Sequence, residues 1–221
     1  MGTMPPRSPT GQPEQPSAWF ASPPGRALLE SEVQSVRAAL DERRGQPWLW
    51  LQPGADASFE PDGRGLRLAP AGQGWRGSVR CALPLPLANE SMATIVVQHA
   101  AAGGRRSAAL FDECARVLLP GGRLWLFALN PLSPYRWRWN GNHLSASEPM
   151  PWRRRLRAAG LHPDPVSQGL GPRWQVEATP VLQQGPGLRA AYLLRAEKRS
   201  TPLTPVRVRA PLRIGEGVPA A

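Results

Sequence analysis

An α/β sandwich with a mainly parallel sheet is the fold class this sequence predicts, and three stretches predict it. Thr94-Ile95-Val96-Val97 is β-branched throughout, which suits a buried strand. Leu110, Phe111, Cys114, Val117 and Leu118 recur at helical spacing, so one stripe of that segment faces a core. Pro120-Gly121-Gly122 stops the helix, because proline cannot continue it and glycine supplies the positive φ a helix end needs. The apolar run 123–129 follows at once as a second buried strand. Strand, helix, strand in that order marks a sheet whose neighbours are joined by crossover helices.

The remaining elements fall around that unit. Residues 1–18 are proline-rich, poor in apolar side chains and without periodicity, so they read as a disordered tail. A helix is predicted over 26–40, where Leu29, Val33, Val36 and Leu40 share a face. Pro47-Trp48-Leu49-Trp50-Leu51 is a short apolar strand that leaves the sheet through Pro53-Gly54. Residues 66–68 and 78–81 are weaker strand candidates among glycines, and 105–118 is the helix described above. A further helix over 152–159 stops at Gly160. Residues 176–182 and 190–196 are predicted to form an antiparallel hairpin turning at Gln184-Gly185-Pro186-Gly187. From residue 200 prolines and arginines return, giving a disordered basic tail over 200–221 and one domain over 19–199.

Composition bounds the function. A chain of 221 residues that is 41% hydrophobic can fill one core. No apolar run reaches a membrane-span length, and the start lacks the apolar centre of a signal peptide, so a cytoplasmic protein without membrane contact is expected. Cys81 and Cys114 have no metal-type spacing and do not make a disulfide framework, and no metal site is predicted. The net charge is +11 and the isoelectric point about 11.4, yet Lys198 is the only lysine. Basic charge carried almost wholly by arginine in an Ala-, Gly- and Pro-rich chain permits nucleic-acid binding without making a site.

Two blocks carry a family resemblance. Leu85-Pro86-Leu87-Ala88-Asn89-Glu90-Ser91-Met92-Ala93-Thr94-Ile95-Val96-Val97-Gln98-His99 resembles the segment leading into the fourth strand of methyltransferase type 11 domains. Arg116-Val117-Leu118-Leu119-Pro120-Gly121-Gly122-Arg123-Leu124 resembles the turn before the fifth strand of class I S-adenosylmethionine-dependent methyltransferases. The likeness covers roughly residues 47–130. Leu129-Asn130-Pro131-Leu132-Ser133 and Lys198-Arg199-Ser200-Thr201-Pro202-Leu203-Thr204 look like the YafS-like branch, whose cofactor motif is degenerate. The resemblance implies a Rossmann-like sandwich, a mostly parallel sheet with a C-terminal antiparallel hairpin, S-adenosyl-L-methionine as cofactor and a methyl acceptor. Carried over residue by residue, it puts the cofactor against Gln52, Gly54, Cys81, Ala82 and Gln98.

At those positions the chain departs from the family pattern. The acid that ends the first strand aligns with Gln52, and the Gly-x-Gly-x-Gly turn with Gly54-Ala55-Asp56-Ala57-Ser58, which keeps one glycine of the motif. An amide can hydrogen-bond but cannot offer a charge to the ligand's ammonium group. The ribose-binding acid would lie near Ala69-Pro70, and no Asp or Glu occurs between Asp62 and Glu90. The acids that follow the third strand and open the fourth align with Cys81 and Ala93. Residues 53–65 contain two prolines and three glycines, so a full crossover helix hardly fits there. Weak cofactor binding and reduced or lost transfer activity are the expectation.

Other candidates are few. His99 follows the fourth strand at the carboxyl edge, where it can act as a base or bind substrate, and it is the catalytic candidate. His143 and His162 lack a companion acid and read as surface residues. Arg136-Trp137-Arg138-Trp139 and Trp152-Arg153-Arg154-Arg155-Leu156-Arg157 interleave indoles with cations, which suits either weak binding of single-stranded nucleic acid or a lid whose tryptophans pack inward. Asn130-Pro131 closes the fifth strand near the expected substrate entrance. The competing function class is therefore a non-catalytic RNA- or protein-binding module on the same fold. Neither acceptor nor oligomeric state is encoded in any motif.

Overall fold

The computed structural model describes residues 16–54, 59–101, 105–142 and 144–199. In chain order the elements are α1 (Pro16–Phe20), α2 (Pro23–Asp41), β1 (Trp48–Leu51), β2 (Gly65–Ala71), β3 (Gly74–Gly77), β4 (Met92–Gln98), α3 (Arg105–Val117) and β5 (Leu118–Leu129). A 3-10 helix (Pro134–Arg138), α4 (Pro149–Ala158), β6 (His162–Pro163), β7 (Gln168–Leu170), β8 (Gln183–Gln184) and β9 (Ala191–Glu197) follow. The strands form one sheet in the order β3-β2-β1-β4-β5-β9-β7-β8, with β6 paired to β9. Its centre is parallel: β1 pairs with β2 and β4, and β4 with β5. Its two sides, β3 against β2 and β9 against β5 and β7, are antiparallel. This is the expected α/β Rossmann-like sandwich.

Alternation along the buried strands feeds two cores. Leu49, Leu51, Ile95, Val97, Leu124 and Leu126 meet Phe111, Cys114 and Val117 of α3 and Trp152 and Leu156 of α4. Trp48, Trp50, Val96, Trp125 and Phe127 point to the other face, against Leu28, Val36, Ala39 and Leu40 of α2. Because both faces are covered, the central strands read as continuous apolar runs. Val96 and Leu126 are fully buried, as expected for adjacent parallel strands.

Where the structure departs from the sequence reading, the reasons are local. α2 begins at Pro23, not Arg26, because Ser22 caps it and proline is tolerated in the first turn. Its buried face runs through Leu28, Ser31, Glu32, Ser35, Val36 and Ala39, leaving Leu29 and Val33 half-buried on the flank. The Pro120-Gly121-Gly122 stop lies inside β5: the pairing shifts between Met92↔Leu118 and Thr94↔Arg123, and Gly121 takes φ +74°. No strand forms over 78–81; β3 precedes it, and Cys81 makes only a bridge to Trp75. Residues 176–182 are not a strand either, and β9 instead pairs with β5, β6 and β7. Of the predicted N-terminal tail, Pro16 to Ala18 belong to α1, and residues 1–15 lie outside the described residues, as do 200–221.

The crossover from β1 to β2 is the largest irregularity. None of its described residues is helical. It lies instead on the α2 face of the sheet, where Phe59 stacks on Trp50 with ring centroids 5.1 Å apart, and Trp48 Nε1 donates to the Asp62 carbonyl at 3.1 Å. Gly65 is required at the end of this path, since a Cβ there would come within 2.0 Å of the Trp48 ring.

Candidate functional site

The carboxyl ends of β1 and β4 lie side by side, the place where open parallel sheets bind ligands. Gln52 leaves β1 buried, its backbone N–H donating to the Leu68 carbonyl at 2.9 Å. Gly54 is half-buried in the turn beyond. Gln98 ends β4, buried, and its side chain is fully engaged: Oε1 accepts from Trp50 Nε1 at 3.0 Å, and Nε2 donates to Glu32 Oε2 at 2.7 Å. His99 follows with φ +49°, an uncommon conformation for a residue other than glycine. That turn brings its ring to the α2 face, where Nε2 lies 2.8 Å from Glu32 Oε1.

Sequence reasoning missed Glu32. The signal was a carboxylate within the apolar stripe of α2, one helical turn from Leu28 and one from Val36. Its side chain is 0% exposed and that of His99 is 1% exposed, so the pair is shut away from water. Phe20 stacks on the imidazole with centroids 5.1 Å apart and an interplanar angle of 22°. Breaking such a buried pair by removing one partner typically costs about 3–5 kcal/mol.

The expected cofactor residues do not all converge. Gln52, Gly54 and Gln98 share the β1–β4 edge, whereas Cys81 and Ala82 sit beyond the β2–β3 hairpin. The backbone N–H and carbonyl of Cys81 are both paired with Trp75, at 3.0 and 2.7 Å, and Ala82 is exposed. Burial pushes the Cys81 thiol above its usual range, and that of Cys114 up to about 12, so neither is an activated thiolate. The glycines on this side serve packing: a Cβ at Gly74 would meet the Cys81 carbonyl at 2.4 Å, and one at Gly77 the Arg67 carbonyl at 2.0 Å.

The donor set can be compared with S-adenosylmethionine directly. Glu32 is spent on Gln98 and His99, and Glu60 faces Arg67 at 2.8 Å. Ala69 and Pro70, where the family resemblance puts the ribose-binding acid, carry no carboxylate. The ligand's ammonium and ribose therefore meet no uncommitted acid among the described residues of this edge.

The arginine–tryptophan segments divide. Trp139 is buried against Trp19 and Tyr135, and Trp19 Nε1 donates to the Arg138 carbonyl at 2.8 Å. Trp152 is buried in the α3–α4 core, with Arg155 over its ring. Trp137 stays exposed, with Arg136 over it. Asn130 is buried and structural: Nδ2 donates to the Gly187 and Arg189 carbonyls, both at 2.9 Å, tying the end of β5 to the segment before β9. His162 opens β6 exposed, and His143 lies outside the described residues. Among the described residues no group of His, Cys, Asp or Glu is placed to hold a metal ion, and no helix is long and apolar enough to cross a membrane.

A cleft of about 350 Å³ lies at the opposite, amino edge of the sheet, between Asp41, Arg44, Trp48 and Asp62. It lies at the opposite ends of the strands from Gln98 and His99.

No family model and no curated protein sequence matches the chain. Solved structures do. An S-adenosylmethionine-dependent methyltransferase of Thermotoga maritima superposes with a TM-score of 0.56 at 16% identity, covering 82% of this chain and 94% of its own. A chain from the complex of the Haloferax volcanii Trm112 methyltransferase activator with a methyltransferase gives 0.55 at 14% identity, covering 86% and 99%. The fold is that of class I S-adenosylmethionine-dependent methyltransferases.

Proposed function

We propose that this chain is an S-adenosylmethionine-dependent methyltransferase-type protein whose transfer site is the carboxyl edge of β1 and β4, and that it holds the cofactor weakly. The observation that carries this reading is the convergence of Gln52, Gly54, Gln98 and His99 on one edge of a methyltransferase-fold sheet. When bound, the cofactor supplies an already activated methyl group, so positioning of the acceptor and removal of its proton are what the protein has to add. Gln98 and His99 are held for such a role by Trp50 and Glu32. The two cysteines, both free, suit a reducing compartment and a cytoplasmic setting.

The binding-module reading loses support from burial of Trp139 and Trp152, which leaves Trp137 as the exposed indole of the arginine-rich segments. Stacking platforms for single strands need successive exposed aromatics.

Titration of the isotopically labelled full chain with S-adenosylmethionine tests the location. The expected result is amide shifts confined to residues 52–54 and 97–99, growing into the millimolar range. Shifts confined to the amino-edge cleft around Arg44 and Trp48, or a salt-sensitive RNA complex without any cofactor response, would overturn the reading.

A further inference from the structure

The Glu32–His99 pair has a polarity that its hydrogen bonds determine. As a carboxylate, Glu32 can only accept, so His99 Nε2 must donate to it. A neutral imidazole that carries its proton on Nε2 has its lone pair on Nδ1. That atom is buried and has no hydrogen-bond partner. An imidazole oriented by a carboxylate through one nitrogen, with the other left as acceptor, is the arrangement of a positioned base. The backbone strain of φ +49° at His99 and the enclosure of Glu32 are spent on holding it.

One face of the His99 ring carries an aromatic cover. Phe20, at the end of α1, lies on the imidazole face. α1 is fixed at a few points: Trp19 Nε1 on the Arg138 carbonyl, Ser22 Oγ on the Trp19 carbonyl at 2.6 Å, and close packing over Gly25. A Cβ at position 25 would come within 2.3 Å of the Trp19 carbonyl oxygen and 2.6 Å of Phe20 Cα.

We propose that His99 is the proton acceptor of this site through Nδ1, that Glu32 is its positioning residue, and that Phe20 is a displaceable cover over the ring. This rests on the carboxyl edge being the transfer site. The acceptor class follows: a molecule whose attacking oxygen or nitrogen still carries a proton. In the proton-transfer step the acceptor's O–H or N–H bond breaks and its electron pair stays on the acceptor. A new N–H bond forms at Nδ1, and the resulting imidazolium is balanced by the Glu32 carboxylate.

Diethyl pyrocarbonate, which acylates unprotonated imidazole nitrogen, is the probe, with mass spectrometry locating the modified residue in the full chain. Phe20→Ala is expected to raise modification of His99 by about tenfold over the parent, because it opens the enclosed ring to the reagent. Adding Glu32→Gln to Phe20→Ala should abolish that gain, since the amide can donate to Nε2 and leave the proton on Nδ1. Glu32→Asp in the same background should retain it. Gly25→Ala, which displaces the same elbow without touching the aromatic ring, supplies a second uncovered form should Phe20→Ala not fold. His99 that stays unreactive in both uncovered forms, or reacts equally with Glu32→Gln, would overturn the proposal. Cofactor titration is a separate arm: its failure contradicts the transfer reading and leaves the His99 chemistry as measured.

Discussion

Two parallel strand pairs at the centre of this sheet are joined by opposite means. β4 and β5 are linked through α3, whose Phe111, Cys114 and Val117 are fully buried against both strands. β1 and β2 are linked by a path with no described helical residue, held by Trp48, Trp50 and Phe59, and β2 then turns back into an antiparallel hairpin. The first crossover leaves Gln98 and His99 rigidly placed at its strand end. Among its described residues, the second brings neither a helix N-terminus nor an uncommitted carboxylate to the edge where a cofactor would lie. The lesson is that one sheet can join its parallel neighbours through a packed helix on one side and through an irregular path pinned by aromatic contacts on the other.

That contrast is sharpest in stability. Leu126→Ala in β5 removes a fully buried side chain and should cost about 2–5 kcal/mol, whereas Leu66→Ala in half-buried β2 should cost less than about 2 kcal/mol, both read from urea midpoints. Equal losses would mean that the two crossovers are equally built.

The turn path can be tested with its glycines. Gly65→Ala should destabilise by about 1–3 kcal/mol, because the new methyl would overlap the Trp48 ring. At Gly54 a Cβ meets nothing among the described residues within 4 Å, so Gly54→Ala should stay within about 0.5 kcal/mol. Reversal of that order would show that the crossover does not pack on Trp48.

The smallest effect belongs to the clamp that holds residues 85–89 before β4. Arg116 donates to the Leu85 and Leu87 carbonyls and to Asn89 Oδ1, while Glu113 accepts from Arg116 and from the Leu85 N–H. The hydrogen bond from Arg116 is the largest influence on the Glu113 carboxyl; burial opposes it, the Leu85 N–H and the Arg116 charge add to it, and the carboxyl lies below its usual range. A lowered folded-state value means stability present above the unfolded carboxylate range, near about 4.3, and lost as pH falls through the folded value. Glu113→Gln should therefore cost about 1 kcal/mol or less at neutral pH, after screening at this half-buried site, and nothing in acid. A difference that persists unchanged into acid would contradict the assignment.

The legible part of this molecule was the part built by periodicity. The β-branched run of β4, the apolar stripe of α3 and the Trp48–Leu51 strand all declare their faces in sequence, because both sides of the central sheet are buried. The parts governed by single contacts were not legible. β3 and β8 are too short to show alternation, and the pairing of β9 with β7 rather than with 176–182 is a tertiary choice. In the site, His99 could be read from its position after a strand. Glu32 shows only as a carboxylate in the apolar stripe of α2, and its pairing with His99, 67 residues away in sequence, has no sequence signal.

The central claim is that the cofactor side of the edge has lost its charged grip, and calorimetry of S-adenosylmethionine binding to the full chain tests it most directly. Each missing charge-assisted hydrogen bond is worth about 1.5–3 kcal/mol, and about 1.4 kcal/mol is tenfold in affinity. Two such losses, at Gln52 and at Ala69-Pro70, move a micromolar site to a Kd in the millimolar range. A millimolar Kd is the predicted result, and a micromolar Kd would contradict the account.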